Sequence, residues 1–294
     1  MPLVRNPDSA GKTLLLMEYK HGDQAFHGPP ECPEDQLEDV HKIEMRDDDV
    51  ILCSHPKSGC HWLWEMTRML RAGTTNVELV EKEKYMMEYT PRSELDKLPS
   101  PRTFNTHFRF DQLPEGVREG KMKLLFVYRN PKDTAVSFYH HHCKFPEYEY
   151  QGKFSDYLSG LFLTGNVDFG NVFAYLKDWE SVLDARSDLQ VFIVSYEQMH
   201  ADTFGRAKEL AQFLGSTADD DTIRDVVAKC SFSSMQERKG KEWAEAYGEP
   251  VMYRKGKVGD WKTWFTVAES EMVDAICQKE MKGSRFEFQY TLSL

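Results

Sequence analysis

The chain has 294 residues, 40% of them hydrophobic, enough to build one large domain or two ordinary ones around a real core. Its 37 Lys and Arg stand against 48 Asp and Glu, a net charge of −11, which argues against general nucleic-acid binding. No run of 18 apolar residues predicts a membrane span. Near the start, the apolar stretch at 14–17 is too short for a secretory signal. The cysteines at 32, 53, 60, 143, 230 and 277 form no CxxC pair and read as reduced thiols, with no disulfide frame and no zinc site. A cytoplasmic protein is expected. Any anionic ligand must be held by locally placed cations.

Residues 1–49 are polar and rich in Pro, Gly, Asp and Glu, and they predict a loop-rich N-terminal cover ending at Asp47-Asp48-Asp49. Residues 50–54 (Val-Ile-Leu-Cys-Ser) predict a buried strand. The turn His55-Pro56-Lys57-Ser58-Gly59 follows, and then a helix-compatible run containing Trp62, Trp64, Met66, Met69 and Leu70. A strand, a Lys-Ser-Gly turn and a helix start together make an anion site, because exposed N–H groups and the helix dipole both favour negative charge. The nucleotidase P-loop is absent, since Lys57 precedes its glycine and no glycine lies upstream in the turn.

Residues 124–128 (Leu-Leu-Phe-Val-Tyr) predict a second buried strand, followed by Arg129 and a helix from Pro131. Ser137 then falls about two turns into that helix. Arg129 can fork onto a phosphate. Residues 191–195 predict a third strand, followed by Tyr196 and a helix over 202–214. Repeated strand, turn and helix predict an α/β fold: a single domain with a central parallel sheet flanked by helices. Ligands of such sheets bind beyond the carboxyl ends of the strands, where all three turns lie. Residues 223–230 predict a last helix before a loop over 231–260, with a polar stretch at 237–251 free to move. Within that loop, Arg254-Lys255-Gly256-Lys257 is a third cationic cluster. The triplet His140-His141-His142 suggests a metal, but consecutive residues point in different directions on a helix and no metal is predicted.

Taken together, residues 45–285 resemble the cytosolic sulfotransferases, which move a sulfuryl group from 3′-phosphoadenosine 5′-phosphosulfate (PAPS) to a hydroxyl or amine and release PAP. The resemblance rests on three motifs in order: His55 to Trp62, Tyr128 to Tyr139, and Arg254 to Lys262. It implies that Lys57, Ser58, Gly59, Cys60 and His61 hold the 5′-phosphosulfate. It implies that Arg129, Ser137, Arg254, Lys255 and Gly256 hold the 3′-phosphate. Trp62, Tyr196, Ser231 and Phe232 would contact the nucleoside. The segment Thr106-His107, with Leu-Pro downstream, is similar to the family's catalytic histidine segment. His107 would be the general base, Lys57 the cation at the bridging oxygen, and Ser137 a residue that steers Lys57. The family uses no metal.

Three departures stand out. Cys60-His61 replaces the usual Thr-Thr, Asn105 stands where a lysine is common, and Cys230 replaces a threonine. Asn105 removes a cation, so a catalytically weak or inert PAP-binding protein on the same scaffold is the alternative, with an ATP-dependent kinase a weaker one. Residues 262–271 resemble the family's dimer motif, which implies a homodimer, and Thr266 with Glu269 also predicts a helix cap there. The acceptor is expected to be a small apolar or aromatic molecule. Its pocket would draw on the N-terminal cover, 80–95, 138–150 and 237–251, with Phe138, Tyr139, Phe145, Tyr148, Tyr150 and Trp243 as candidates.

Overall fold

The structure, a computed structural model, describes residues 2–21, 24–30, 39–247 and 252–292. Four short strands make the central sheet: β4 (Val50–Cys53), β5 (Thr103–Thr106), β6 (Lys123–Tyr128) and β7 (Gln190–Ser195). They pair in the order β5-β4-β6-β7, all parallel. The register sets Leu52 beside Asn105 and Leu125.

Alternation along the strands divides the interior in two. Val50, Leu52, Leu125 and Val127 pack with Leu63, Trp64 and Leu210 on one face. Ile51, Cys53, Leu124 and Phe126 pack with Tyr175 and Trp179 on the other. Both faces are therefore covered, which is why β4 is apolar at every position. On the first face lie helices α1 (Cys60–Ala72) and α4 (Thr203–Leu214), and on the second α3 (Val172–Ala185). Helix α2 (Pro131–Lys144) follows β6 directly. Asn130 caps it by accepting from the Asp133 amide, with Pro131 at the first position, where no N–H is needed.

Two expectations change here. The N-terminal cover is not loop-rich: β1 (Leu3–Pro7), β2 (Thr13–His21) and β3 (Gln24–Gly28) form an antiparallel sheet in that order. Leu14 and Leu16 are fully buried in the main core, which anchors it. The segment predicted as a loop from 231 is largely helix, α6 (Phe232–Tyr247), after α5 (Asp220–Lys229). Its Glu, Lys, Arg and Ala residues are good helix formers and outweigh one internal glycine. Residues 248–251, the end of the stretch predicted to move, lie outside the described residues, as does the side chain of Trp243. A last helix, α7 (Val267–Glu280), starts at the predicted Thr266–Glu269 capping box.

Candidate active site

Four carboxyl ends of the sheet converge on one cavity of about 440 Å³. Beyond β4 comes the Lys57 turn, beyond β5 His107, beyond β6 Arg129, and beyond β7 Tyr196. All but two of the residues assigned from the sequence to catalysis or nucleotide binding line it. Ser58 is buried beneath the turn, and Ser231 sits outside, its hydroxyl accepting from the Ser234 amide.

The turn itself is under conformational tension. Lys57 has φ of 65°, a left-handed conformation rarely adopted by residues with a side chain. Gly59 has φ of 105°, and a Cβ there would lie 2.6 Å from the Tyr196 ring. Only glycine lets the loop pass so close to that tyrosine. Among the described residues, no group accepts from the amides of Ser58, Gly59, Cys60 or His61. These open donors at a helix start are what a phosphate-type anion requires. The side chains of Cys60 and His61 turn elsewhere: Cys60 Sγ lies 2.8 Å from Ser54 Oγ, and His61 Nε2 lies 3.1 Å from Glu83 Oε1.

Beside Arg254, Lys255 and Lys257, three more cations line the cavity. Burial lowers the Lys57 ammonium to about 8, with Lys82 and Arg129 adding to the effect. Its Nζ lies 3.4 Å from His141 Nδ1, and among the described residues no bond joins it to Ser137, so the steering expected of Ser137 is not seen. Arg129 donates to the Lys257 carbonyl at 3.0 Å and stacks 4.2 Å from the centre of the Tyr196 ring. Its Nε has no partner among the described residues, and Ser137 Oγ has none either. The third cation, Lys82, was not anticipated. Its side chain is 3% exposed and donates to Asn105 Oδ1 at 2.6 Å.

Helix α2 also docks the glycine-rich segment. Asp133 accepts from the amides of Gly259 at 2.8 Å and Trp261 at 3.0 Å. Asp260 in turn holds Arg254 and Lys255, each at 2.6 Å. Gly256, at φ of 59°, lies so close to Phe232 that a Cβ would come within 2.1 Å of its ring. Trp62 faces His200 with ring centres 4.7 Å apart, a further lining residue missed in the sequence.

His107 is held by its surroundings. Its Nδ1 lies 2.7 Å from the Ser54 carbonyl oxygen, so Nδ1 carries the proton and donates. Nε2 is left as the acceptor, with no partner among the described residues. Burial, and then the Lys82 charge, keep the ring well below the usual histidine range. The His107 amide and the Thr106 hydroxyl both donate to Glu88 Oε1, whose carboxyl burial pushes up to about 7. The remaining histidines diverge. His142 lies 2.6 Å from Asp168 and 2.9 Å from the Tyr157 hydroxyl, while His140 packs on Trp264. The described residues contain no cluster suited to a metal ion.

The far side of the cavity is lined by Pro29, Met86, Tyr89, Phe145, Tyr148 and Phe169. Phe138 and Tyr150 are instead fully buried in the core, and Tyr139 packs against Tyr150 and Phe154, away from the cavity. No helix among the described residues is long and apolar enough to cross a membrane.

A parallel sheet that gathers open amides, two unpaired polar groups, six cations and a histidine at one cavity suits a group transferase for an anionic nucleotide. Comparison with known proteins agrees. The sulfotransferase domain family matches residues 47–285. Sulfotransferase 6B1 of Danio rerio is 31% identical over 257 residues, covering 86% of this chain and 85% of the relative. Sulfotransferase 1B1 of Mus musculus is 31% identical over 268 residues, covering 85% of this chain and 88% of the relative. The crystal structure of mouse sulfotransferase SULT7A1 complexed with PAP superposes with a TM-score of 0.76 at 28% identity, covering 91% of this chain and 95% of that one. The chain belongs to the sulfotransferase family, and it is a PAPS-dependent sulfotransferase.

Proposed function

We propose that the protein transfers the sulfuryl group of PAPS to a hydroxyl or amine on a small, apolar or aromatic acceptor, with His107 as general base. The observation that carries this reading is the fixed tautomer of His107: Nδ1 is committed to the Ser54 carbonyl at 2.7 Å, and Nε2 is free on the cavity wall. A neutral imidazole beside bound acceptor can take a proton at ordinary pH. PAPS supplies the electrophilic sulfur. The turn amides and Lys57 hold its 5′ end, and Lys57 stabilises negative charge growing on the leaving oxygen. Arg129, Ser137, Arg254, Lys255 and Gly256 hold the 3′-phosphate. Trp62, Tyr196 and Phe232 flank the nucleoside, and Ser231, beside Phe232, stands just outside the cavity lining.

The acceptor class follows from Met86, Tyr89, Phe145, Tyr148 and Phe169, an apolar and aromatic wall next to His107. The N-terminal sheet leads into that side, Pro29 and Pro30 after β3 reaching the cavity, and on this reading the whole chain acts as one domain in the cytoplasm. Incubation with labelled PAPS and a panel of phenols, steroids, aliphatic alcohols and amines tests the reading. Labelled product is expected with an aromatic or apolar member. Donor binding without transfer to any member would contradict it.

A homodimer through residues 262–271 belongs to the same reading. Val267 is 76% exposed at the start of α7, just where the dimer motif places it.

A further inference from the structure

Lys82 is an unusual lysine. It lies in a charged run, Glu81-Lys82-Glu83-Lys84, that would normally be a solvated face. Yet its side chain is 3% exposed and lines the cavity with Lys57 and His107. Its polar contacts are Asn105 Oδ1 at 2.6 Å and, more weakly, Met86 Sδ at 3.8 Å. Among the described residues it has no ion pair. Glu83 and Glu88 feel its charge but neither pairs with it among the described residues, and a buried ammonium held only by an amide oxygen carries a desolvation cost that an anionic ligand offsets.

The placement is built from both sides. Asn105 Oδ1 accepts from Lys82 Nζ, and Asn105 Nδ2 donates to the Lys82 carbonyl at 3.0 Å. One amide thus grips both ends of the residue. The backbone is fixed as well: Met86 bridges Asn105 in parallel fashion, and the Met87 amide donates to the Asn105 carbonyl at 3.1 Å. The segment carrying Lys82 therefore extends the sheet along the free edge of β5. Asn105 stands two residues before His107, so the ammonium is delivered beside the general base.

We propose that Lys82 is a catalytic cation that binds the transferring sulfuryl group, and that Asn105 is the positioning residue that aims it. The charge that Asn105 itself lacks is then present in the site, brought from another segment. This rests on the reading of the cavity as the site of sulfuryl transfer. Lys82 lies at the acceptor end of the cation row, and Lys57 at the nucleotide end. The two ammonium groups share the negative charge of the group in flight. No bond forms to Lys82, and no proton leaves it.

The test compares wild type with Lys82→Met, Lys82→Gln and Asn105→Asp. Turnover is read with 4-nitrophenol and labelled PAPS, and the dissociation constants of PAPS and PAP are read by calorimetry. Both Lys82 variants are expected to lose on the order of 10²-fold in kcat. They should weaken PAPS by at least tenfold and PAP by less than threefold, because PAP lacks the sulfuryl group. Asn105→Asp, which neutralises the cation in place, should behave likewise. Heat-stabilisation by PAP confirms that each variant is folded. Wild-type kcat in Lys82→Gln, or equal weakening of PAPS and PAP, overturns the assignment. The binding arm needs no turnover, so it decides the role of Lys82 even where the acceptor reading fails.

Discussion

At the scale of the residue, the site runs on protonation states set by burial. His107 is kept neutral well below the usual histidine range, and Lys57 is lowered to about 8 by burial. These shifts fix the pH profile of the free enzyme. His107 must be unprotonated, so no acid limb is expected near pH 6.5; activity should hold to well below it. Lys57 must be protonated, so kcat/KM for PAPS should fall about tenfold per pH unit above about 8. Lys57→Arg keeps the charge at all accessible pH and should remove that alkaline limb, whatever it does to the absolute rate. Because Glu88 is pushed up to about 7, an acid limb near 6.5 that persists in Glu88→Gln, or an alkaline limb unmoved by Lys57→Arg, would contradict these assignments. Departures from the family pattern also take on a physical sense at this scale. Cys60 bonds to Ser54, His61 to Glu83 and Asn105 to Lys82, so these three replacements are held in contacts of their own, whereas nothing in the structure explains Cys230.

At the scale of the element, the site depends on close approaches that only glycine permits. Gly256 brings its loop against Phe232, where a Cβ would meet the ring at 2.1 Å. Gly256→Ala should cost about 1–3 kcal/mol of stability through overpacking and weaken PAP more than tenfold. Gly170, also at positive φ but with nothing within 4 Å of a Cβ, is the control. Gly170→Ala should lose only about 1 kcal/mol and keep PAP affinity. Thermal melts with and without PAP read both; equal PAP losses in the two variants would show that the Phe232 approach does not matter. Elements differed in how readily their sequences disclosed them. Strands β4 and β6 are apolar runs buried on both faces, β7 is an apolar run half-buried until Val194, and an apolar run is legible in all three. Strand β5, Thr-Phe-Asn-Thr, has a single apolar side chain, Phe104, and exists because its backbone pairs with β4. The three strands of the N-terminal sheet mix exposed Leu3 with buried Leu14 and Leu16, so their pattern became legible only once the sheet had a core to face. In the same way, Lys57, His107, Arg129 and Ser137 sit in motifs, whereas Lys82 and His200 reach the cavity only through tertiary packing. No local spacing distinguishes Lys82 from the solvated lysines around it.

At the scale of the whole molecule, a chain of net charge −11 handles an anionic nucleotide by concentrating cations in one cavity. The exposed Val267 lies apart from that cavity, on the start of α7. If two copies meet there, wild type should sediment at twice the chain mass, and Val267→Glu should sediment as a monomer with unchanged specific activity. Wild type sedimenting as a monomer at micromolar concentration would remove the dimer from the account. In the proposed mechanism one buried histidine drives sulfuryl transfer in a site that binds its nucleotide by other means. Single-turnover transfer from labelled PAPS, measured for wild type and His107→Ala alongside PAP affinity, tests it most directly. Transfer by His107→Ala should fall by roughly 10²–10⁴, with PAP bound within threefold of wild type. Transfer at the wild-type rate by His107→Ala would contradict the account.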